Sequence, residues 1–381
     1  MKIALLTDGI HPFVNGGMQL HSSHLARYFT INNCSVTLFH CIYDSEIPSD
    51  YHINKKLFND ESKLFKIVTL KFPKSLKFPW SYLYNSFRYS KNIYDLIKLN
   101  IDEYDFIYIQ GLSGWKLLKQ KSKDNINTKV GVNFHGLNMF YKTKSFKLKL
   151  SYLIFKPIVK FNMKSADFNF SFGGRVSELI EKIGISPKNI INIPNGLEHK
   201  WIRSIDKIKT SEKLNFIFIG RDDPIKGIKE INKAISFFND EDFIFHFVGP
   251  IKNKIIGKNI KYHGLVKDRV QILKILDQCD ILLLPSYSEG MPYAILEAMS
   301  RGLAIIASDV GAVNLMVSNK NGILLKSQNH KSIISAIKSL ISMETLKLNE
   351  MKSNSIRIIN NSFTWNIVLK QLISEIKVRI S

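Results

Sequence analysis

The chain has 381 residues, 45% of them hydrophobic, and carries 54 Lys and Arg against 32 Asp and Glu, a net charge of +22. Such a length and apolar content can bury two cores of ordinary size and exclude a disordered or fibrous chain. The charge calls for an anionic partner: a phosphorylated substrate, a membrane surface or a nucleic acid. In chain order, the opening MKIALLTDGI is a short apolar run broken by Asp8 with no small-residue cleavage site behind it. It reads as a buried first strand rather than a signal peptide. Strand-length apolar runs then alternate with helical segments: VTLFH, DFIYIQG, KVGVNFHG, DFNFSFG and NIINIPNG, followed by NFIFIG, FIFHFVG, IKYHGLV, DILLLPS and LAIIASD. Continuous apolar strands ending in Gly, Asn or Ser describe parallel sheets covered on both faces, hence an α/β protein.

The polar stretch EHKWIRSIDKIKTSEK, 198–213, holds no strand and divides the two series. The expected organisation is a doubly wound domain over 1–197, a linker over 198–213, a second doubly wound domain over 214–360, and an amphipathic terminal helix over 361–381. No apolar stretch approaches the roughly 18 residues that span a bilayer. Cys34, Cys41 and Cys279 form no CxxC pair and cannot all be disulfide-bonded within one chain, so the expected compartment is reducing and cytoplasmic.

In doubly wound sheets ligands sit at the carboxyl ends of the strands. After the first strand, Gly16 and Gly17 lead into a helix, where backbone N–H groups can approach an anion; an ordinary turn is the other reading. His21 and His24 on that helix lack a third metal ligand nearby, and read as a surface or half-buried pair. After NFIFIG, the loop RDDPIKG places Arg221 and Lys226 at a strand's carboxyl end. A guanidinium and an ammonium beside a helix N-terminus suit a diphosphate, although a solvated loop would use the same residues.

In PSYSEGMPYAILEAMSRG, 285–302, Pro292 suits a helix start and Gly302 a helix end, so the helix is expected from Pro292 to Arg301. Glu289 then lies outside the positive helix end, which favours its carboxylate form. Glu297, among apolar neighbours, needs donors such as sugar or ribose hydroxyls if no cation meets it. The bland readings are a helix cap for Glu289 and, for Glu297, a bond to a lysine or to backbone. His135, at a strand end in NFHGLN, reads by itself as a satisfied histidine. The single DxD match, Asp240 to Asp242, precedes the strand FIFHFVG and so lies at the sheet edge opposite the ligands; it reads as a turn.

FIGRDDPIKG, YHGLV and PSYSEGMPYAILEAMSRGLAIIASDVGA, in that order, resemble the nucleotide-sugar domain of family-4 retaining glycosyltransferases, the glycosyl transferases group 1. The Glu-x7-Glu spacing of Glu289 and Glu297 marks that family, and the resemblance extends to the glycine pair, NFHGLN, IPNG at 193–196 and the helix opening FTW. It implies the GT-B fold, two Rossmann-like domains facing a central cleft, with the terminal helix crossing back to the N-terminal, acceptor-binding domain. It further implies that Arg221 and Lys226 bind the diphosphate of the sugar donor, with Gly16 and the Gly17 backbone near the phosphate next to the sugar. Glu297 would hold the ribose hydroxyls, Glu289 with the backbone of Gly290 and Met291 the transferred sugar, and Val266 would line the same site. His135 would stand near the anomeric centre on the acceptor side.

The implied donor is a UDP- or GDP-sugar, with neither a cofactor nor a metal ion, since Arg221, Lys226 and helix N-termini can stabilise the departing diphosphate. Where many members continue Gly-Gly-x-Pro-Glu after the strand ending SDV, this chain has Gly311, Ala312, Val313, Asn314 and Leu315, which loses a carboxylate. Segments 71–91 and 142–164 hold no acidic residue and mix lysines with Phe, Trp and Tyr. They suit an anionic bilayer surface, or else single-stranded nucleic acid, and with the transferase signature the bilayer is the expected partner. The expected function is therefore retaining transfer of a sugar to a lipid-linked glycan in cell-surface polysaccharide synthesis, at the inner membrane face. Another GT-B enzyme, such as an epimerase or phosphorylase, and a non-catalytic basic binding protein are the alternatives.

Overall fold

Every strand pairing in the computed structural model is parallel, and the structure describes residues 1–14, 16–43, 53, 64–73, 80–140, 146–238 and 243–380. The first sheet contains β1 (Lys2–Leu6), β2 (Ser35–Ile42), β3 (Phe65–Lys71), β4 (Phe106–Gln110), β5 (Lys129–Asn133), β6 (Phe168–Ser171) and β7 (Ile190–Asn192), in the order β3-β2-β1-β4-β5-β6-β7. The second contains β8 (Asn215–Ile219), β9 (Ile244–Val248), β10 (Ile260–Gly264), β11 (Ile281–Leu284), β12 (Ala304–Ser308) and β13 (Gly322–Leu325), in the order β10-β9-β8-β11-β12-β13. Both orders reverse direction once, between β1 and β4 and between β8 and β11. A crevice opens outside the carboxyl ends of the strands at such a reversal.

The central strands are apolar throughout because helices cover both faces. Ile3 to Leu6, Phe106 to Ile109 and Ile281 to Leu283 are completely buried, and each side chain of this size stabilises the fold by about 1.5–3 kcal/mol. Ile3 pairs with Val36 on one side and Phe106 on the other, which fixes the register of the first switch point. β3 and β13 are two strands absent from the sequence reading, and both are edge strands. An edge strand is covered less, so FKIVTLK can keep Lys66 and Lys71 in solvent, and GILL can be four residues opening on glycine. Neither shows the continuous apolar run that marks a central strand.

The chain divides into two units: Met1–Ser171, Ser177–Ile193 and Val368–Ser381 form the first, Phe172–Val176 and Pro194–Ile367 the second. The division falls before residue 197, and 198–213 is part of the second unit rather than a free linker. There Ser211 N–H and Asn215 N–H donate to the Asp280 carboxylate, and Lys352, almost wholly buried, bridges Lys209 O and Asp280 Oδ1 at 2.6 Å each. The helix Tyr293–Ser300 is one residue shorter at each end than expected, with Pro292 as N-cap and Arg301 as C-cap. Cys34, Cys41 and Cys279 are buried free thiols.

Candidate functional site

In the second unit, the loop after β8 is shaped by its own acids. The Asp223 side chain accepts from Ile225 N–H at 3.0 Å and starts a 3-10 turn over Pro224–Lys226, while Asp222 accepts from Lys252 N–H and Asn253 N–H. The turn ends on Gly227 at φ +73°, a left-handed residue where a Cβ would also lie 2.6 Å from Pro285 O. Only glycine lets this loop lie against the loop after β11, whose Tyr287 N–H donates to Ile225 O at 2.7 Å. The consequence is that Lys226 Nζ lies 2.6 Å from Glu289 Oε1, with only 10% of the Glu289 side chain exposed. Arg221 is exposed, its carbonyl accepts from Asp223 N–H at 2.9 Å, and its guanidinium makes no hydrogen bond or ion pair with the described residues.

Beyond Glu289 the carbonyl of Gly290 accepts from Ala312 N–H at 2.8 Å and that of Met291 from Asn195 Nδ2 at 2.8 Å. The N–H groups of Gly290 and Met291 have no acceptor among the described residues. They stand at the start of the helix Tyr293–Ser300, where the helix field favours negative charge and hydroxyl acceptors. Two turns on, Glu297 is half-buried between fully buried Leu296 and Ala298. Burial raises its carboxyl pKa, and the Arg269 guanidinium, 3.3 Å away, pulls it back. Val266, half-buried, follows β10.

The segment that departs from the family pattern is closed by main chain. Gly311, at φ +60°, could not carry a Cβ, which would sit 2.3 Å from Gly290 O and 2.4 Å from Glu289 O. Its carbonyl accepts from Arg175 N–H at 3.0 Å, and the Arg175 guanidinium grips both Asp309 carboxylate oxygens. Arg175 lowers the Asp309 pKa, first through its hydrogen bond. Ala312 and Val313 are buried, whereas Asn314 and Leu315 are exposed, so the loop is held without a carboxylate at those positions.

In the first unit, Gly16 is an extended residue without a side-chain cap on the helix Gly17–Ile31, and that helix has no acid in its first turn. Its exposed N-terminus therefore offers N–H groups that meet no acceptor among the described residues. A Cβ on Gly17 would meet nothing within 4 Å, so glycine leaves open space there. Deeper, at the β1/β4 switch, Gln110 joins two imidazoles: its Oε1 accepts from His135 Nε2 at 2.8 Å and its Nε2 donates to His21 Nδ1 at 3.1 Å. The rings of His21 and His135 meet edge to face at 4.7 Å. Burial opposes the imidazolium form, pushing His135 down to about 3 and His21 well below its ordinary value. Both are neutral at pH 7, with the tautomers set by Gln110. Asp8, after β1, accepts from Gln19 Nε2 at 2.9 Å, and burial raises its carboxyl to about 6 against that bond.

His21 and His24 thus differ from the surface or half-buried pair read in the sequence: both are buried, and His21 serves the Gln110 bridge. Asp240 and Asp242 lie outside the described residues, and among the described residues no group of three His, Cys, Asp or Glu could hold a metal ion. Sequence reasoning missed Gln110, Arg269, Asn195 and the Arg175–Asp309 pair. A signal existed for Gln110, the polar residue that ends the apolar strand FIYIQ; the others are brought in by folding from distant positions.

Residues 201–357 match the family of glycosyl transferases group 1. The chain is 27% identical over 242 residues to an N,N'-diacetylbacillosaminyl-diphospho-undecaprenol alpha-1,3-N-acetylgalactosaminyltransferase of Campylobacter jejuni, covering 57% of this chain and 62% of that protein. It is 28% identical over 295 residues to a UDP-Gal:alpha-D-GlcNAc-diphosphoundecaprenol alpha-1,3-galactosyltransferase of Escherichia coli, covering 68% of this chain and 75% of the relative. The match to the first of these spans less than two thirds of its length. Among solved structures, the sucrose-phosphate synthase of Thermosynechococcus elongatus superposes with a TM-score of 0.77 at 17% identity, covering 99% of each chain.

Proposed function

We propose, on the premise that this chain is a group 1 glycosyltransferase of the GT-B fold, that it moves a sugar from a nucleoside-diphosphate sugar to a lipid-linked glycan. The observation that carries this reading is the gathering of Arg221, Lys226, Glu289, Glu297 and the N–H groups of Gly290 and Met291 at the carboxyl ends of β8 and β11. Cations there meet the diphosphate, whose negative charge grows as the bond to the anomeric carbon breaks. Glu297 accepts from the ribose hydroxyls. Glu289 and the N–H groups of Gly290 and Met291 hold the hydroxyls of the transferred sugar, and Lys226 exchanges Glu289 for phosphate when the donor enters. In the first unit, the N-terminus of the helix Gly17–Ile31 by itself suits a phosphate group. His135, in the first unit, is neutral and fixed by Gln110, and suits a hydroxyl as a hydrogen-bonding group rather than as a charge.

Retention follows the family pattern, and the cationic pair performs the task a divalent ion performs elsewhere, so no metal is needed. The two relatives are named for diphospho-undecaprenol acceptors, which supports a lipid-linked glycan and a place in cell-surface polysaccharide synthesis. No helix among the described residues is long and apolar enough to cross a membrane. The helix Phe146–Ser165 instead exposes Leu150, Leu153 and Phe161 beside exposed Lys149, Lys160 and Lys164. Its Phe155 stacks on the half-exposed Tyr82 of the other basic segment at 6.1 Å. Apolar and cationic side chains on one helix suit peripheral attachment to the inner, anionic membrane face.

The test is to incubate purified protein with UDP- and GDP-sugars and a polyprenyl-diphosphate-linked acceptor, with and without chelator. Product with retained anomeric configuration, formed equally in chelator, is expected. Conversion of the donor without acceptor would favour an epimerase, and binding of RNA without binding of any nucleotide sugar would favour a non-catalytic protein.

A further inference from the structure

Glu297 poses a physical problem that its neighbours on its own helix do not solve. Its side chain is 14% exposed, Ile295, Leu296, Ala298 and Met299 beside it are fully buried, and no hydrogen bond from a described residue reaches its carboxylate. A carboxylate so placed either takes up a proton or is held by a cation. The cation is Arg269, from the first turn of the helix Arg269–Leu276, whose Nη2 lies 3.3 Å from Glu297 Oε1.

Arg269 is itself held from three sides. Asp268 caps its helix by accepting from Val270 N–H at 3.0 Å, which fixes the backbone from which the side chain starts. The guanidinium carbon lies 5.2 Å from the centre of the Trp201 ring, within the range where a cation is attracted to an indole face. Trp201 is tied at both ends: its Nε1 donates to Glu198 Oε2 at 2.9 Å, and its carbonyl accepts from Arg301 Nη1 at 2.9 Å. Arg301 in turn is gripped by both carboxylate oxygens of Asp277, at 2.8 and 2.7 Å. Of the other charged groups around Trp201, Lys200 pairs with Glu198 while its Nζ lies 5.0 Å from the ring centre, and Arg301 and Arg203 pair with Asp277. On the Glu297 side, the ionisable groups that act on the carboxylate are Arg269 and the buried Tyr293 hydroxyl. Arg269 Nε is also buried without a hydrogen-bond partner, which leaves the Trp201 face and the Glu297 carboxylate to orient the guanidinium.

We propose that Arg269 is a positioning residue for the nucleotide: stacked on Trp201, it places the Glu297 carboxylate where both oxygens can accept from the two ribose hydroxyls. This rests on the reading of Glu297 as the ribose acceptor. A bonded, ionised carboxylate can accept two hydrogen bonds at once, whereas a protonated one competes for them as a donor. Without Arg269, burial alone acts on Glu297 and the proton is held to higher pH. Arg269 therefore acts on Glu297 in two ways: it orients the carboxylate, and it pulls down a pKa that burial raises.

The experiment is calorimetric titration of the full chain with UDP and with GDP between pH 5.5 and 8.5, with thermal unfolding run on every variant. In Arg269→Met, affinity for the bound nucleotide should fall roughly tenfold near pH 6 and recover part of the loss by pH 8.5, because rising pH ionises Glu297 without help. Arg269→Lys should restore most of the affinity and the flatter pH profile of the wild type. Glu297→Gln should be weak at every pH, and adding Arg269→Met to it should cost nothing further. Unchanged or tighter binding in Arg269→Met with a wild-type pH profile overturns the proposal. So does an equal loss in Arg269→Met and Arg269→Lys, which would make the residue a packing element only. If Glu297→Gln binds like wild type, or wild type binds neither nucleotide, it is the ribose reading that fails, and the proposal falls with it.

Discussion

The carboxyl ends of the two sheets are built from the same kind of strand, yet they handle charge in opposite ways. At β8 and β11 the side chains are ionic: Arg221 is exposed, and Lys226 and Arg269 pair with Glu289 and Glu297. At β1 and β4 they are polar but neutral, with His21, Gln110 and His135 in one hydrogen-bonded bridge and Asp8 close to half-protonated at slightly acidic pH. The difference is one of solvent and partners. A cation near water or beside a carboxylate keeps its charge, whereas an imidazole shut in with another imidazole loses it. The ionic end suits a diphosphate, and the neutral end suits uncharged hydroxyls.

The largest expected effect breaks the neutral end with acid. His135 at this end and His40, buried on β2 with its Nε2 bonded to Thr69 Oγ1 at 2.9 Å, have folded pKa values near 3 and 4, below the ordinary 6.5, so the stability they lend in the neutral form is full above pH 6.5 and lost as pH falls toward 4. Each should cost the fold on the order of 3 kcal/mol at pH 4, with His21 acting in the same direction. Asp8 runs the other way: its pKa is raised, so its contribution is full below the ordinary carboxylate value and lost as pH rises through about 6. Urea midpoints measured from pH 7 to 4.5 should fall, His135→Gln should shallow the decline, and Asp8→Asn should steepen it. A flat profile would mean that the bridge is not neutral.

Next in size is the ionic end. Arg221→Ala or Lys226→Ala should lower turnover by roughly two orders of magnitude while thermal unfolding stays near wild type. Near-normal turnover in both variants would remove the diphosphate role. A finer cut separates the two glutamates. Glu297→Gln should weaken nucleoside diphosphate binding by about 1–3 kcal/mol. Glu289→Gln should leave that affinity unchanged or slightly tighter, because it releases Lys226, while depressing sugar transfer. Equal losses of nucleotide affinity would refute this division. The smallest effect per residue belongs to the basic helix: changing Lys149, Lys156, Lys160 and Lys164 to glutamate should remove about 1 kcal/mol of attraction per residue to anionic vesicles, read by co-sedimentation at low salt. Nucleotide binding should be unaffected, and wild-type protein that ignores such vesicles would end the membrane reading.

Eleven strands and both domains of the fold are legible in the sequence, because a strand covered on both faces must be apolar along its length, as FIYIQ and ILLL are. β3 and β13 escape because these two edge strands are not apolar along their length, FKIVTLK holding Lys66 and Lys71 and GILL opening on glycine, whereas the edge strands β7 and β10 show in the runs NIINIPNG and IKYHGLV. Lys226, Glu289 and Glu297 stand out in sequence for a related reason, each being polar immediately beside a buried run. Their partners do not. Nothing in the chain between Lys226 and Glu289 says that the two side chains touch; that follows from Gly227, whose missing Cβ lets two loops close on each other.

The sequence by itself determined the parallel sheets, the loops that carry polar residues and the sign of the overall charge, since periodicity, punctuation and composition act locally along the chain. Only the tertiary structure decided which of those residues keep their charge. Glu297 has a cation because a helix 28 residues earlier brings Arg269 within 3.3 Å, and His135 is bonded to Gln110 and packed edge to face on His21 where burial opposes its charged form. Ionisation depends on desolvation and on partners a few ångströms away, and both are set by folding rather than by neighbours in sequence.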